Sequence, residues 1–390
     1  MTFIPKKDRI EYGGAMIGSE EREAIMRVLE SQGGRRWTIG PESEAFEQEL
    51  ADTTRVKRAV VTNSGSSALL VAMTALKLPR GSNVVIPALN FPTAFNAILQ
   101  CGLNPVVVDS DPKTLNLDLD QIDYLVKHKW VLSAVLAVDI AGNPVDLIRL
   151  REIVGPDTKI VLDNCDGYGT LLKGNFIDTY ADVSCVSFHA AHIITTGEGG
   201  AVLTSDIEIA DRARKIREWG RASGTDNIYK YPGFPDDYRE RYVYEEIGYN
   251  VKPLELQCAM GRVQLGRLKS FRSRRGSNFQ ELCDVFKKHP MFETVSHIPD
   301  SVPCWFSFPL MCRGIERGRV MKTLEANNVE CRTIFSGNIL KHPAYQGVSC
   351  SAPFDYKVAD DVMFNGMFVS VHPSITREMI EFIDEVLSTL

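Results

Sequence analysis

Lys159-Ile160-Val161-Leu162-Asp163-Asn164-Cys165-Asp166 joins a short apolar run to two carboxylates three residues apart. A β-branched run of this length, bounded by polar residues, reads as a buried strand. Four similar runs precede it, and each leads into a helical pattern. Ala59-Val60-Val61 is followed by a helix from Ser66, Val84-Val85-Ile86 by one from Thr93, Pro105 to Val108 by Leu119 to Lys127, and Ala134 to Val138 by a helix from Val145. Strand and helix alternating this often imply an α/β fold, with a mainly parallel sheet covered by helices on both faces. Ligands of such sheets bind beyond the carboxyl ends of the strands, where Asp163 stands.

Outside this series, Ser19 to Ser31 has a Ser start and apolar residues at helical spacing. A glycine-bounded loop, Gly33 to Gly40, leads to a helix over Pro41 to Thr54, with proline at a permitted first-turn position. After Ser205 a charged helix runs to about Trp219, and Gly220 to Tyr238 reads as an irregular loop. A long helix from Pro253 to about Lys288 is expected to bridge to a smaller C-terminal α+β domain. That domain has strands near Trp305 to Cys312 and Val329 to Ile334 and a closing helix from Thr376 to Leu390. The expected division is 1–252, a cofactor-binding α/β domain with N-terminal helices, and 253–390.

Composition narrows the function classes. The 390 residues are 44% hydrophobic and 24% charged, as in a folded globular protein. With 44 basic against 50 acidic side chains, and no Lys/Arg-rich run, nucleic acid is not an expected partner. The N-terminus lacks an export signal, and the longest apolar passage, Trp130 to Ala141, falls short of a membrane span, so a cytoplasmic protein is expected. Nine scattered cysteines without a Cys-x-x-Cys pair suggest reduced thiols and no metal framework.

Two motifs carry chemistry at strand ends. Thr62-Asn63-Ser64-Gly65-Ser66-Ser67-Ala68 opens a helix, where it either caps the helix or holds a phosphate on backbone N–H groups. Asp163 is either a helix cap or the partner of a cation such as a protonated pyridine nitrogen. A third stretch, Ser187-Phe188-His189-Ala190-Ala191-His192, follows a strand-like run and leads to Gly197-Glu198-Gly199-Gly200.

Taken in order, these motifs, with Pro87 to Phe91 and Gly248-Tyr249-Asn250, resemble the DegT/DnrJ/EryC1/StrS family of sugar aminotransferases over nearly the whole chain. The resemblance implies the type I pyridoxal-phosphate fold and a homodimer with a shared active site. It implies cofactor contacts from Ser64, Gly65, Ser66, Phe91, Asp163, Asp166 and Ser187, and from Asn250 reaching the neighbouring subunit's phosphate.

The family's aminotransferases carry their cofactor-linking lysine where this chain has His192. An imidazole cannot form that covalent link but is a competent base near neutral pH. The same replacement marks the family's 4-keto-6-deoxysugar 3-dehydratases, which Gly142-Asn143-Pro144 and Cys331 to Leu340 also resemble. The resemblance therefore implies pyridoxal or pyridoxamine 5'-phosphate held noncovalently, His192 as the catalytic base, and L-glutamate as amino donor. The expected substrate is a nucleotide-linked 4-keto-6-deoxyhexose, with substrate contacts from Arg332, Ser336 and Asn338. One branch of the subset carries an iron–sulfur cluster on cysteines lying mostly between the histidine and Gly-Tyr-Asn motifs. This chain has no cysteine from 186 to 257, so no cluster is expected. The other branch acts on GDP-4-keto-6-deoxy-D-mannose, the expected sugar here. The loop Phe234 to Tyr238 is more like the CDP-sugar branch and leaves the base open.

Overall fold

The computed structural model describes residues 3–31 and 37–390, so part of the glycine-bounded loop, residues 33–36, lies outside the described residues. Nine strands occupy the first half: β1 Arg58–Thr62, β2 Asn83–Pro87, β3 Asn104–Val108, β4 Ala134–Val138, β5 Lys159–Asp163, β6 Leu171–Leu172, β7 Asn175–Phe176, β8 Val183–Ser187 and β9 Gly200–Thr204. Helices α1 Ser19–Glu30 and α2 Pro41–Thr54 precede them. Helices α3 Gly65–Ala75, α4 Pro92–Gln100, α5 Leu119–Lys127 and α6 Leu147–Val154 follow successive strands, and α7 Ile207–Arg217 follows β9. Side-chain oxygens set several helix starts: Ser64 caps α3, Asp118 α5, Asp146 α6 and Asp206 α7, each accepting from first-turn N–H groups.

The main sheet has seven strands in the order β1-β9-β8-β5-β4-β2-β3. Pairs β2·β3, β2·β4, β4·β5 and β5·β8 are parallel, as the strand–helix alternation implies, and the central strand β4 is buried throughout. Only β9 is reversed, pairing antiparallel with both β1 and β8. The cause is local. β8 reaches β9 without a crossover helix, through a folded loop closed by Phe188 N–H to Gly199 O at 2.8 Å and Thr196 N–H to Phe188 O at 2.9 Å. His192 rides on that loop.

Helix α8, Glu255–Phe286, leads to β10 Phe292–Thr294, β11 Ser301–Val302, β12 Ser307–Cys312, α9 Arg317–Ala326, β13 Arg332–Thr333, α10 Lys357–Asn365, β14 Gly366–Ser370 and α11 Arg377–Leu387. Strands β10-β12-β14-β13 form an antiparallel sheet, and β11-β6-β7 form a small third one. The expected strand over 329–334 shrinks to two paired residues, because Val329 bridges to Ile10 instead.

One buried apolar cluster runs from Val84, Ile86 and Phe95 of the first half to Phe308, Leu310 and Ile383 of the second. The N-terminal segment belongs with the second half by its contacts: Tyr12 N–H donates to Glu330 Oε2 at 3.1 Å, and Phe3 packs on Phe382. The 220–238 stretch is not irregular throughout. With the residues after it, it forms a hairpin-like arm, bridged at Arg221–Tyr244 and Ile228–Arg239, with Tyr229 N–H donating to Tyr238 O at 2.8 Å. Among the described residues no helix is long and apolar enough to cross a membrane.

Candidate active site

The carboxyl ends of β1, β4, β5 and β8 open on a cavity of about 640 Å³, within the size range of small-molecule sites. Ser64, Gly65 and Ser66 line it from the first turn of α3. The Ser64 hydroxyl is committed to the cap, accepting Ser67 N–H at 3.1 Å, which leaves the helix N-terminus itself to face an anion. Gly65 permits close packing: a Cβ there would lie 2.7 Å from Ser187 Cβ and 2.9 Å from Cys165 Sγ. Gly200 does the same from the other side, since a Cβ would meet the Ser64 carbonyl at 2.5 Å. The glycine-rich turn thus lets β9 abut the phosphate-type turn.

Asp163 ends β5, is 5% exposed, and accepts Cys165 N–H at 3.2 Å. Burial raises its carboxyl above the usual range, which is the state of an acid lacking a buried cationic partner. Asp166 is also buried; burial first, and then the Asp163 charge, push it up to about 8. His192 Nε2 stands 3.7 Å from Asp166 Oδ1. The imidazole packs edge-on against Phe306, with centroids 5.4 Å apart, and burial, with His189 and Arg275 nearby, pushes it down to about 3. It is therefore neutral at working pH and able to accept a proton.

Ser187 closes β8 on the cavity wall, its hydroxyl accepting His189 N–H at 3.3 Å. Phe91, at the start of α4, is half exposed over the cavity mouth, 6.1 Å from Phe335. Arg332 lines the cavity beside the Tyr12 ring and pairs with Glu330; Ser336 also lines it and donates to Asn90 O at 2.7 Å. Two expected residues lie elsewhere. Asn338 is buried outside the cavity, donating to Asp360 Oδ1 and capping a short 3-10 turn. Asn250 is exposed at the base of the arm and accepts from Lys252 Nζ at 2.6 Å.

The cavity also includes Tyr12, Asp139, Cys165, Phe306, His342 and Phe368, which sequence reasoning did not select. Asp139 carried a usable signal, since it ends an apolar strand just as Asp163 does. The aromatic residues did not, because they arrive from distant segments. Among the described residues, no lysine lines the cavity.

The donor set fits pyridoxal phosphate. A buried acid, Asp163, lines the cavity and suits a pyridinium nitrogen, and the N-terminus of α3 lines it and suits a phosphate.

Known proteins agree with this fit. The profile of the DegT/DnrJ/EryC1/StrS aminotransferase family matches residues 16–388. The dTDP-4-dehydro-2,6-dideoxy-D-glucose 3-dehydratase of Saccharopolyspora spinosa is 32% identical, over 99% of this chain and 87% of its own. The GDP-4-keto-6-deoxy-D-mannose 3-dehydratase of Yersinia pseudotuberculosis is 32% identical, over 94% and 95%. A crystal structure of GDP-4-keto-6-deoxymannose-3-dehydratase with a trapped PLP-glutamate geminal diamine superposes with a TM-score of 0.89. It is 29% identical and covers 97% of this chain and 99% of that one. The architecture is thus the type I pyridoxal-phosphate fold, and the chain belongs to the DegT/DnrJ/EryC1/StrS family of pyridoxal-phosphate enzymes that act on sugars.

Proposed function

We propose that this chain removes the C3 hydroxyl of a nucleotide-linked 4-keto-6-deoxyhexose, giving a 4-keto-3,6-dideoxysugar, with L-glutamate as amino donor. GDP-4-keto-6-deoxy-D-mannose is the proposed substrate. One observation carries the reading: the cavity wall presents the imidazole of His192 next to Asp166 and, among the described residues, no lysine.

The pyridoxamine form of the cofactor supplies an amine for the C4 ketone and a ring that accepts electrons. The chain's own groups do the rest. Asp163 holds a proton on the ring nitrogen by charge, and the N-terminus of α3 holds the phosphate. Phe91 covers the cavity mouth, and Arg332 and Ser336 contact the sugar nucleotide. His192 Nε2 takes the proton whose removal starts the elimination. Once protonated, it donates that proton to the departing C3 oxygen. Among the described residues no lysine lines the cavity, so this chain would hold the cofactor without a covalent link, by Asp163 and the N-terminus of α3.

We further propose that the protein works as a cytoplasmic homodimer. The arm carries exposed Tyr231, Phe234, Tyr242 and Ile247, an apolar surface for a second copy, with Asn250 at its base reaching the neighbouring cofactor's phosphate. A His192→Lys variant tests the role of the base. It should bind pyridoxal phosphate covalently, read as a borohydride-stable mass increase, and lose deoxygenation. Deoxygenation retained in that variant would remove His192 from the mechanism.

A further inference from the structure

His192 also lines a second, small pocket of about 10 Å³. Gly14, Thr195, Gln264, Phe271 and His372 line it together with His192. This volume is close to that of one water-sized probe. His192 Nδ1 is buried and has no protein partner, whereas Nε2 faces Asp166.

A neutral imidazole has one N–H and one lone pair, so which nitrogen carries the proton decides where the base points. For Nε2 to accept a proton, Nδ1 must keep its own, and a buried N–H requires an acceptor. The pocket offers two. The Gln264 side chain is 1% exposed, and its amide orientation is fixed: Nε2 donates to Met16 O at 2.9 Å and to Glu21 Oε1 at 2.7 Å. Its Oε1 therefore turns to the Thr195 side, where it accepts that backbone N–H at a loose 3.4 Å and retains a free lone pair. The Gly14 carbonyl accepts from His372 Nε2 at 3.0 Å and likewise has a second lone pair.

We propose that this pocket is a single-water site and that Gln264 is a positioning residue for His192. The water accepts the Nδ1 proton and donates to Gln264 Oε1 and Gly14 O, which leaves the Nε2 lone pair facing the catalytic cavity. The inference rests on the reading of His192 as the base.

The charged and titratable groups around the ring are Asp163 and Asp166 at the end of β5, His189 on its own loop, Arg275 on α8 and His372 after β14. An ionised Asp166 would draw the proton to Nε2, and the Ser187 backbone also hydrogen-bonds to the ring; burial, then Asp163, push the Asp166 carboxyl up to about 8. At neutral pH that shift favours the protonated acid over the anion.

The test uses the full-length, cofactor-free protein with ¹⁵N-labelled histidine, where NMR distinguishes a protonated from an unprotonated ring nitrogen directly. The proposal predicts that His192 is protonated at Nδ1 at neutral pH. It also predicts that Gln264→Leu shifts the proton toward Nε2 and lowers kcat with little change in KM. An Nε2-protonated wild type, or an unchanged tautomer in a folded Gln264→Leu protein, overturns it. Should the variant not fold, a high-resolution crystal structure of the wild type decides, since a pocket without an ordered water bonded to Nδ1 also overturns the proposal. Turnover with an Nε2-protonated resting enzyme defeats this inference alone. An Nδ1-protonated enzyme that deoxygenates no nucleotide sugar defeats the functional reading and leaves the tautomer assignment standing.

Discussion

His192 should cost the fold stability in acid, and removing it should relieve that cost by a calculable amount. Burial pushes the imidazole from 6.5 down to about 3 in the folded protein, while the unfolded chain keeps the ordinary value. Well above 6.5 neither state binds the proton, and the residue contributes no pH dependence. As pH falls below 6.5, the unfolded chain takes up the proton and the folded protein does not, so stability is lost progressively down to about 3. The slope is about 1.4 kcal/mol per pH unit, so moving from about pH 7.5 to about pH 5 costs the wild type roughly 2 kcal/mol through this one group. His192→Asn has no proton to take up. Urea unfolding of cofactor-free wild type and variant, at both pH values and matched protein concentration, should show the variant losing roughly 2 kcal/mol less between them. Other titrating groups, His372 included, cancel in the difference. Equal losses would show that the imidazole is not held neutral by burial.

Three further outcomes follow from the site. Asp163→Asn should weaken pyridoxal phosphate binding by roughly ten- to a hundredfold, because a charge-assisted hydrogen bond contributes about 1.5–3 kcal/mol; an absorbance titration reads it directly if no covalent link masks the affinity. Gly65→Ala should push a methyl into Ser187 and Cys165, destabilise the protein by about 1–3 kcal/mol and impair cofactor binding, as thermal unfolding with and without cofactor would report. Arg332→Ala should raise KM for the sugar nucleotide several-fold and leave the cofactor titration unchanged, since Arg332 lines the cavity from β13 of the second half, whereas Asp163 ends β5.

Much of the first half was legible because its main strands and helices announce themselves locally. α2 begins at Pro41 and ends at Thr54 as its spacing predicts, and β5 ends on Asp163. What stayed hidden depends on partners distant in sequence. The reversal of β9 follows from the missing helix between β8 and β9, the pairing of Ile10 with Val329 spans most of the chain, and the arm's cross-bridges join turn-rich segments with no periodicity. The site divides the same way. Asp163, Ser187 and His192 follow strands and could be read in order, whereas Tyr12, Phe306 and Phe368 reach the cavity only through tertiary packing. Asn338 shows the converse, a polar residue in a telling motif whose side chain is consumed by a local turn.

The most direct test of the account is to incubate purified protein with pyridoxal phosphate, L-glutamate and GDP-4-keto-6-deoxy-D-mannose, without added reductase. The sugar nucleotide is then followed by mass spectrometry and released ammonia by assay, with the CDP- and dTDP-linked 4-keto-6-deoxysugars run in parallel. The account predicts loss of the C3 oxygen and ammonia release with the GDP sugar. An amino group retained on the product would contradict it and make the protein an aminotransferase.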